Sequence, residues 1–133
     1  FLHEYERYLG GGVCINFDVF PKRNQSIEHI LPQTPDEDGY WDERFNFEDK
    51  TKLTHSLGNL CLTQDNSHYQ NYDYPRKREG ANPEDPHCYL RATTHQEKKL
   101  GNKFEHWNPE NLKAREEELI RFALERWKFD TED

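Results

Sequence analysis

Short stretches of apolar periodicity alternate along this chain with long polar intervals, and the periods predict a mixture of helices and strands. Leu2, Tyr5 and Leu9 recur at helical spacing until Gly10-Gly11-Gly12 breaks the pattern, which predicts a short helix. Residues 13–20 instead alternate Val13, Ile15, Phe17 and Val19 with smaller or polar neighbours, a strand-like period of two that Pro21 ends. A second strand is expected over 27–31, closed by Pro32, which holds the residue before it extended. From Thr34 to about Lys52 the chain is acidic, aromatic and irregular, and reads as a long loop with one helical turn. Leu57, Leu60 and Leu62, with Gly58 at a turn, predict a strand over 57–63 that pairs with the one before it.

The second half reads as helical. From Asp65 or Asn66 a polar helix is expected, with Asp or Asn as its cap and Pro75 limiting its length. A loop over 78–86 follows, then a helix over 93–100 ending at Gly101. The clearest helix is the last. Asn108 caps it, Pro109 takes its first position, and Leu112, Leu119, Ala123 and Trp127 fall near one face. The fold class expected is α+β in a single domain over 1–133. The chain lacks a starting Met and opens mid-pattern, so a fragment of a longer protein is expected.

Composition narrows this picture. Only 32% of the residues are hydrophobic and mean hydropathy is −1.24, values that alone lean toward disorder. Fourteen per cent are aromatic, however, and Trp41, Trp107 and Trp127 read as core or interface anchors that can hold a polar domain together. Net charge is −8 at neutral pH, which excludes capture of nucleic acid by bulk electrostatics, so any such contact has to be local. Cys14, Cys61 and Cys88 are odd in number and widely spaced, which indicates neither a disulfide framework nor a zinc knuckle and points to a reducing compartment. There is no signal peptide and no long apolar run, so a cytoplasmic location without membrane contact is expected.

Candidate chemistry gathers at Ser26-Ile27-Glu28-His29-Ile30-Leu31-Pro32-Gln33. An acid and a histidine side by side at a strand end can supply a hard oxygen ligand for a divalent ion and a general base of near-neutral pKa. Successive strand residues face opposite ways, so both serve one site only if the strand bends or ends between them, and Pro32 favours such an ending. Asn59 offers an amide to fix a loop or orient the imidazole, and Asn66 offers a second oxygen ligand. Phosphodiester hydrolysis needs those parts: a positioned water, a base, and a cation to neutralise charge. Among the other histidines, His3, His55, His87, His95 and His106 read as ordinary surface or hydrogen-bonded residues. The acidic stretch 36–49 lacks the Asp-x-Asp-x-Asp-Gly order of a calcium loop and reads as solvated.

The run Glu28-His29-Ile30-Leu31-Pro32-Gln33, then Leu57-Gly58-Asn59-Leu60, then Asn66-Ser67-x-x-x-Asn71 with Tyr74 and Lys77, resembles the HNH (ββα-metal) endonucleases. More narrowly, it is similar to the C-terminal nuclease domain of GmrSD-type restriction and phage-defence proteins, as are Trp107-Asn108-Pro109, Arg115 and the closing helix. The resemblance implies a ββα-metal core with flanking helices. It further implies metal-dependent cleavage or nicking of DNA, leaving 5′-phosphate and 3′-hydroxyl ends. His29 would activate water, Glu28 and Asn66 would hold Mg²⁺ or Mn²⁺, and Asn59 would brace the site. Lys77 and Asn71 would lie near the scissile phosphate, with Arg76 and Arg78 as further substrate contacts. The interval from Asn59 to Asn66 is short for the family, and His68 stands nine residues after Asn59, so Asn66, His68 and Asn71 compete for the helix ligand, Asn66 being preferred. An N-terminal ParB-like NTPase or sensor domain of the same protein is also implied. The alternatives are a catalytically silent DNA- or protein-binding module on the same scaffold, and an RNA-cleaving HNH nuclease.

Overall fold

Glu28 and His29 lie on the first of two short antiparallel strands around which the helices assemble. The computed structural model describes residues 1–11, 26–35, 39–64 and 66–127, with Asn66 and Ser67 described in backbone alone. The strand expected over 13–20, and Cys14 with it, lies outside the described residues. Strand β1 (Ser26–His29) pairs antiparallel with β2 (Leu60–Thr63), in a register that sets Glu28 opposite Cys61 and His29 opposite Leu60. β1 is shorter than the expected 27–31: it stops at His29, and Ile30 and Leu31 turn inward to full burial. The first part of the expected 57–63 strand is a 3₁₀ turn, Leu57–Asn59. Gly58 is needed there for close approach, since a Cβ at that position would sit 2.4 Å from the Leu112 carbonyl oxygen.

The acidic stretch after Pro32 is not one long loop. Helices α2 (Tyr40–Arg44) and α3 (Phe47–Leu53) occupy most of it. Trp41 and Phe45, four residues apart, bury against the core, and the Asn46 side chain caps α3 by accepting from the Asp49 amide at 2.8 Å. Helix α1 (Leu2–Leu9) forms as expected. The polar helix after β2 is split into α4 (Asn66–Tyr69) and α5 (Tyr74–Glu79). Gln70 breaks it with φ of 44°, and Pro75 stands at the start of α5, where its missing amide costs nothing, rather than at the end of the preceding helix. The 78–86 loop begins only after Glu79.

Helix α6 (His95–Lys103) runs past Gly101. That glycine lies inside the helix because the neighbouring turn packs close: a Cβ there would meet Leu90 Cδ2 at 3.0 Å. Helix α7 (Pro109–Arg126) begins as its sequence predicts, with Asn108 accepting from the Asn111 amide. Leu112 and Leu119 are buried on its inner face, and Arg115 reaches past them to donate to the Gly58 and Leu60 carbonyls at 2.9 and 2.7 Å. Trp41 and Trp107 are core residues, whereas Trp127 caps α7 and is 45% exposed, against Phe1 and Phe122. The architecture is α+β, a small antiparallel hairpin with a helix after it and further helices around, compatible with a ββα core. Among the described residues no helix is long and apolar enough to cross a membrane.

Candidate active site

The end of β1 is locked by one side chain. Asn59, wholly buried, accepts from the Leu31 amide at 2.8 Å and donates to the Leu31 carbonyl at 2.9 Å, replacing a strand ladder across the point where β1 stops. Its amide also donates to the Thr54 carbonyl, and the Trp107 indole donates to its oxygen at 3.2 Å. Every polar atom of that side chain is therefore engaged, and Asn59 acts on the loop and not on the imidazole. The Asn59 backbone carbonyl also accepts from the Ile30 amide at 3.0 Å, so the chain is held at both residues that follow His29.

Glu28 points inward and His29 outward. Glu28 is 3% exposed, and Lys77, 0% exposed, donates to its Oε1 at 3.3 Å. The same ammonium donates to the His29 and Ile30 carbonyls, each at 3.0 Å. Burial pushes the Glu28 carboxyl up to about 7 against the opposing pull of Lys77, and burial likewise lowers the Lys77 pKa. Glu28 Oε2 is buried and meets no hydrogen-bond partner among the described residues. A buried carboxylate oxygen with no donor is costly unless something else approaches it. A divalent cation fits that need chemically, being oxygen-seeking and content with one or two protein carboxylates plus water. Among the described residues, no three His, Cys, Asp or Glu side chains converge as a metal-binding group.

His29 is half-buried, and two neighbours flank its ring. Its Nε2 lies 3.2 Å from Nδ1 of His55, with the rings edge to face, and the Gln33 amide lies 3.2 Å from Nδ1. Burial, followed by the His55 and Lys77 charges, lowers the His29 pKa, which favours the neutral imidazole that a general base requires.

The remaining sequence candidates divide. Asn66 opens α4, which packs against β1, but its side chain lies outside the described residues. His68 is exposed and stacks on His87, ring centroids 3.7 Å apart. Asn71 stands exposed in the turn between α4 and α5. Lys77, expected near the scissile phosphate, is enclosed by its three acceptors and would have to leave them all to reach an open surface. Arg76 lies over the Tyr72 ring, 4.3 Å from its centroid, beside a cavity of about 130 Å³ that His68, Gln70, Asp85 and His87 also line. Arg78 donates to the Gly101 carbonyl at 2.8 Å and so ties α5 to α6.

Gln33 and His55 are the neighbours of His29 that residue-type reasoning passed over. The signal for His55 lay in the hairpin: with His29 opposite Leu60, whatever precedes the 57–59 turn folds back beside the imidazole.

The site is built on a hairpin whose first strand ends in an acid and a histidine, with a helix following its second strand, an arrangement compatible with a ββα core. A family model described as the C-terminal domain of GmrSD restriction endonucleases matches residues 2–122, and the chain belongs to that family. Membership carries a nuclease function related to restriction. No curated protein and no solved structure matches the chain.

Proposed function

We propose that this domain is a metal-dependent DNA endonuclease or nickase of the HNH type, acting in restriction or antiviral defence. The observation that carries this reading is the split at the end of β1: a half-exposed imidazole of lowered pKa beside a buried carboxylate with one unsatisfied oxygen. His29 takes the proton of the attacking water on Nδ1 when the water displaces the Gln33 amide from that nitrogen, and the contact to His55 holds the ring for the transfer. Glu28, with Asn66, would hold Mg²⁺ or Mn²⁺, which would supply charge neutralisation at the phosphate and leaving oxygen.

In this reading Lys77 organises the site from beneath. It neutralises Glu28 and binds the two carbonyls that follow it, which fixes the direction in which His29 leaves the strand. DNA capture is delegated to an N-terminal NTPase or sensor domain of the same protein, a division of labour supported by the net charge of −8.

A plasmid-nicking assay with Mg²⁺ or Mn²⁺ tests the reading. The wild type converts supercoiled DNA to nicked or linear forms, chelator stops it, and His29→Ala lowers the rate by at least about a hundredfold, as expected for loss of a general base. A His29→Ala protein that cuts like wild type would sink the mechanism.

A further inference from the structure

A depression of about 320 Å³ opens on the side of His29 where its two ring partners stand. Gln33 and His55, each 3.2 Å from an imidazole nitrogen, form one wall, and Phe47, Lys50 and Thr51 of α3 form the other. Phe47 is 84% exposed, more than any other large hydrophobic residue described. Its backbone is nonetheless fixed, as the first residue of a capped helix whose Thr51 hydroxyl donates back to the Phe47 carbonyl at 2.9 Å. A largely exposed aromatic face on a rigid backbone, placed at the rim of a cleft, has the makings of a stacking platform.

The charges around it narrow the choice of ligand. Lys50 is ion-paired with Asp42 and Lys52 with Glu48, so among the described residues this wall offers a phosphate no uncommitted lysine. Thr51 and the Gln33 amide offer hydrogen-bonding groups of the kind that meet base edges. We infer that this cleft receives an unpaired nucleobase of the strand being cut, stacked on Phe47, next to the phosphate that His29 addresses. The inference rests on the reading of His29 as the nuclease base, and it sharpens the substrate class. A base inside duplex DNA is stacked on both faces and cannot reach Phe47, so the preferred substrate is single-stranded or locally unpaired DNA.

The test separates binding from cutting. The full chain carrying His29→Ala, which holds DNA without cleaving it, is titrated with an oligonucleotide containing one 2-aminopurine, single-stranded or fully paired. Stacking quenches the probe in the single strand. Adding Phe47→Ala removes the quench and weakens single-strand binding about tenfold, whereas Phe47→Trp preserves both. Equal affinity and equal fluorescence with Phe47→Ala overturn the inference, as does the same Phe47 dependence on fully paired duplex. Wild-type plasmid cleavage is scored separately. Cutting with no Phe47 effect on binding refutes the cleft and leaves the nuclease standing. A Phe47-dependent quench in a chain that never cuts refutes the nuclease and keeps the cleft.

Discussion

Lys77 holds Glu28 from inside the protein: Nζ lies 3.3 Å from Oε1, and neither side chain reaches solvent. The ion pair is also a clamp, because the same ammonium binds the two carbonyls at the end of β1. Removing one partner of a buried pair leaves the other charge stranded, at a cost of about 3 kcal/mol or more. Lys77→Met should therefore destabilise the domain by about that amount at pH 8, measured by urea unfolding. At pH 5 the stranded Glu28 is protonated and the loss should shrink. A penalty that is the same at both pH values would show that the carbonyl contacts, not the ion pair, carry the effect.

The raised Glu28 pKa has a stability consequence whose sign is set by proton counting. Between about 4.5, its value in the unfolded chain, and about 7 in the folded one, the folded state binds more proton. Stability contributed by this group is therefore full below pH 4.5 and is lost as pH rises toward 7, by about 3 kcal/mol at most. Glu28→Gln should flatten that part of the stability curve in metal-free buffer. A variant curve parallel to the wild type from pH 4.5 to 7 would assign the slope to other groups.

The same carboxylate should report a cation. An ion bound only by the folded state stabilises it by about 2.7 kcal/mol at a hundredfold excess over Kd. Added Mg²⁺ or Mn²⁺ should raise the wild-type Tm by several degrees at pH 7 and leave Glu28→Gln unmoved, with chelator reversing the shift. An equal shift in both proteins would place the ion away from Glu28.

Much of this site was legible in the sequence because its signals are local. Glu28-His29 before Pro32, the Asn108-Pro109 helix start and the leucines flanking Asn59 each carry their structural meaning within a few residues. The sequence is ambiguous where a residue type has two uses. Pro75 can stop a helix or start one, and at the first turn of α5 it is a start. Gly101 can end a helix, but here Leu90 and Tyr89 crowd it from outside the helix, a contact no local pattern records. Trp41 and Phe45 were hidden among acids, and only their common burial makes α2 a helix with an inner face. Lys77 sits in a basic run that looks solvated, and its burial follows from a carboxylate 49 residues earlier. The place of His55 beside His29 likewise depends on strand register.

Asn59 offers a test of the brace itself. Replacing it with Ala leaves the Leu31 amide and carbonyl, the Thr54 carbonyl and the Trp107 indole without their partner in a buried setting. One or two of these going unsatisfied costs about 3 kcal/mol, which urea unfolding would measure. Cleavage should be lost even at temperatures where the variant remains folded, because the end of β1 that aims His29 is no longer fixed. A folded Asn59→Ala protein with wild-type cleavage would mean that Asn59 serves stability alone.

His55 should tune the base without replacing it. After burial, its charge is the next largest influence lowering the His29 pKa, and its Nδ1 sits 3.2 Å from His29 Nε2. Only neutral His29 can accept a proton, so the acid limb of the rate profile falls where that imidazole protonates. Removing the neighbouring positive charge lets His29 hold its proton to higher pH. His55→Ala should therefore move the acid limb upward and lower the rate near pH 6 more than at pH 8, where His29 is neutral in both proteins. His55→Asn keeps a polar group near Nε2 without a titrating charge. It should recover the rate at pH 8 if His55 acts by orienting the ring, while leaving the limb displaced. Profiles of kcat for the three proteins distinguish these effects: a uniform loss across all pH values that His55→Asn does not recover would mean that His55 acts on substrate and not through His29.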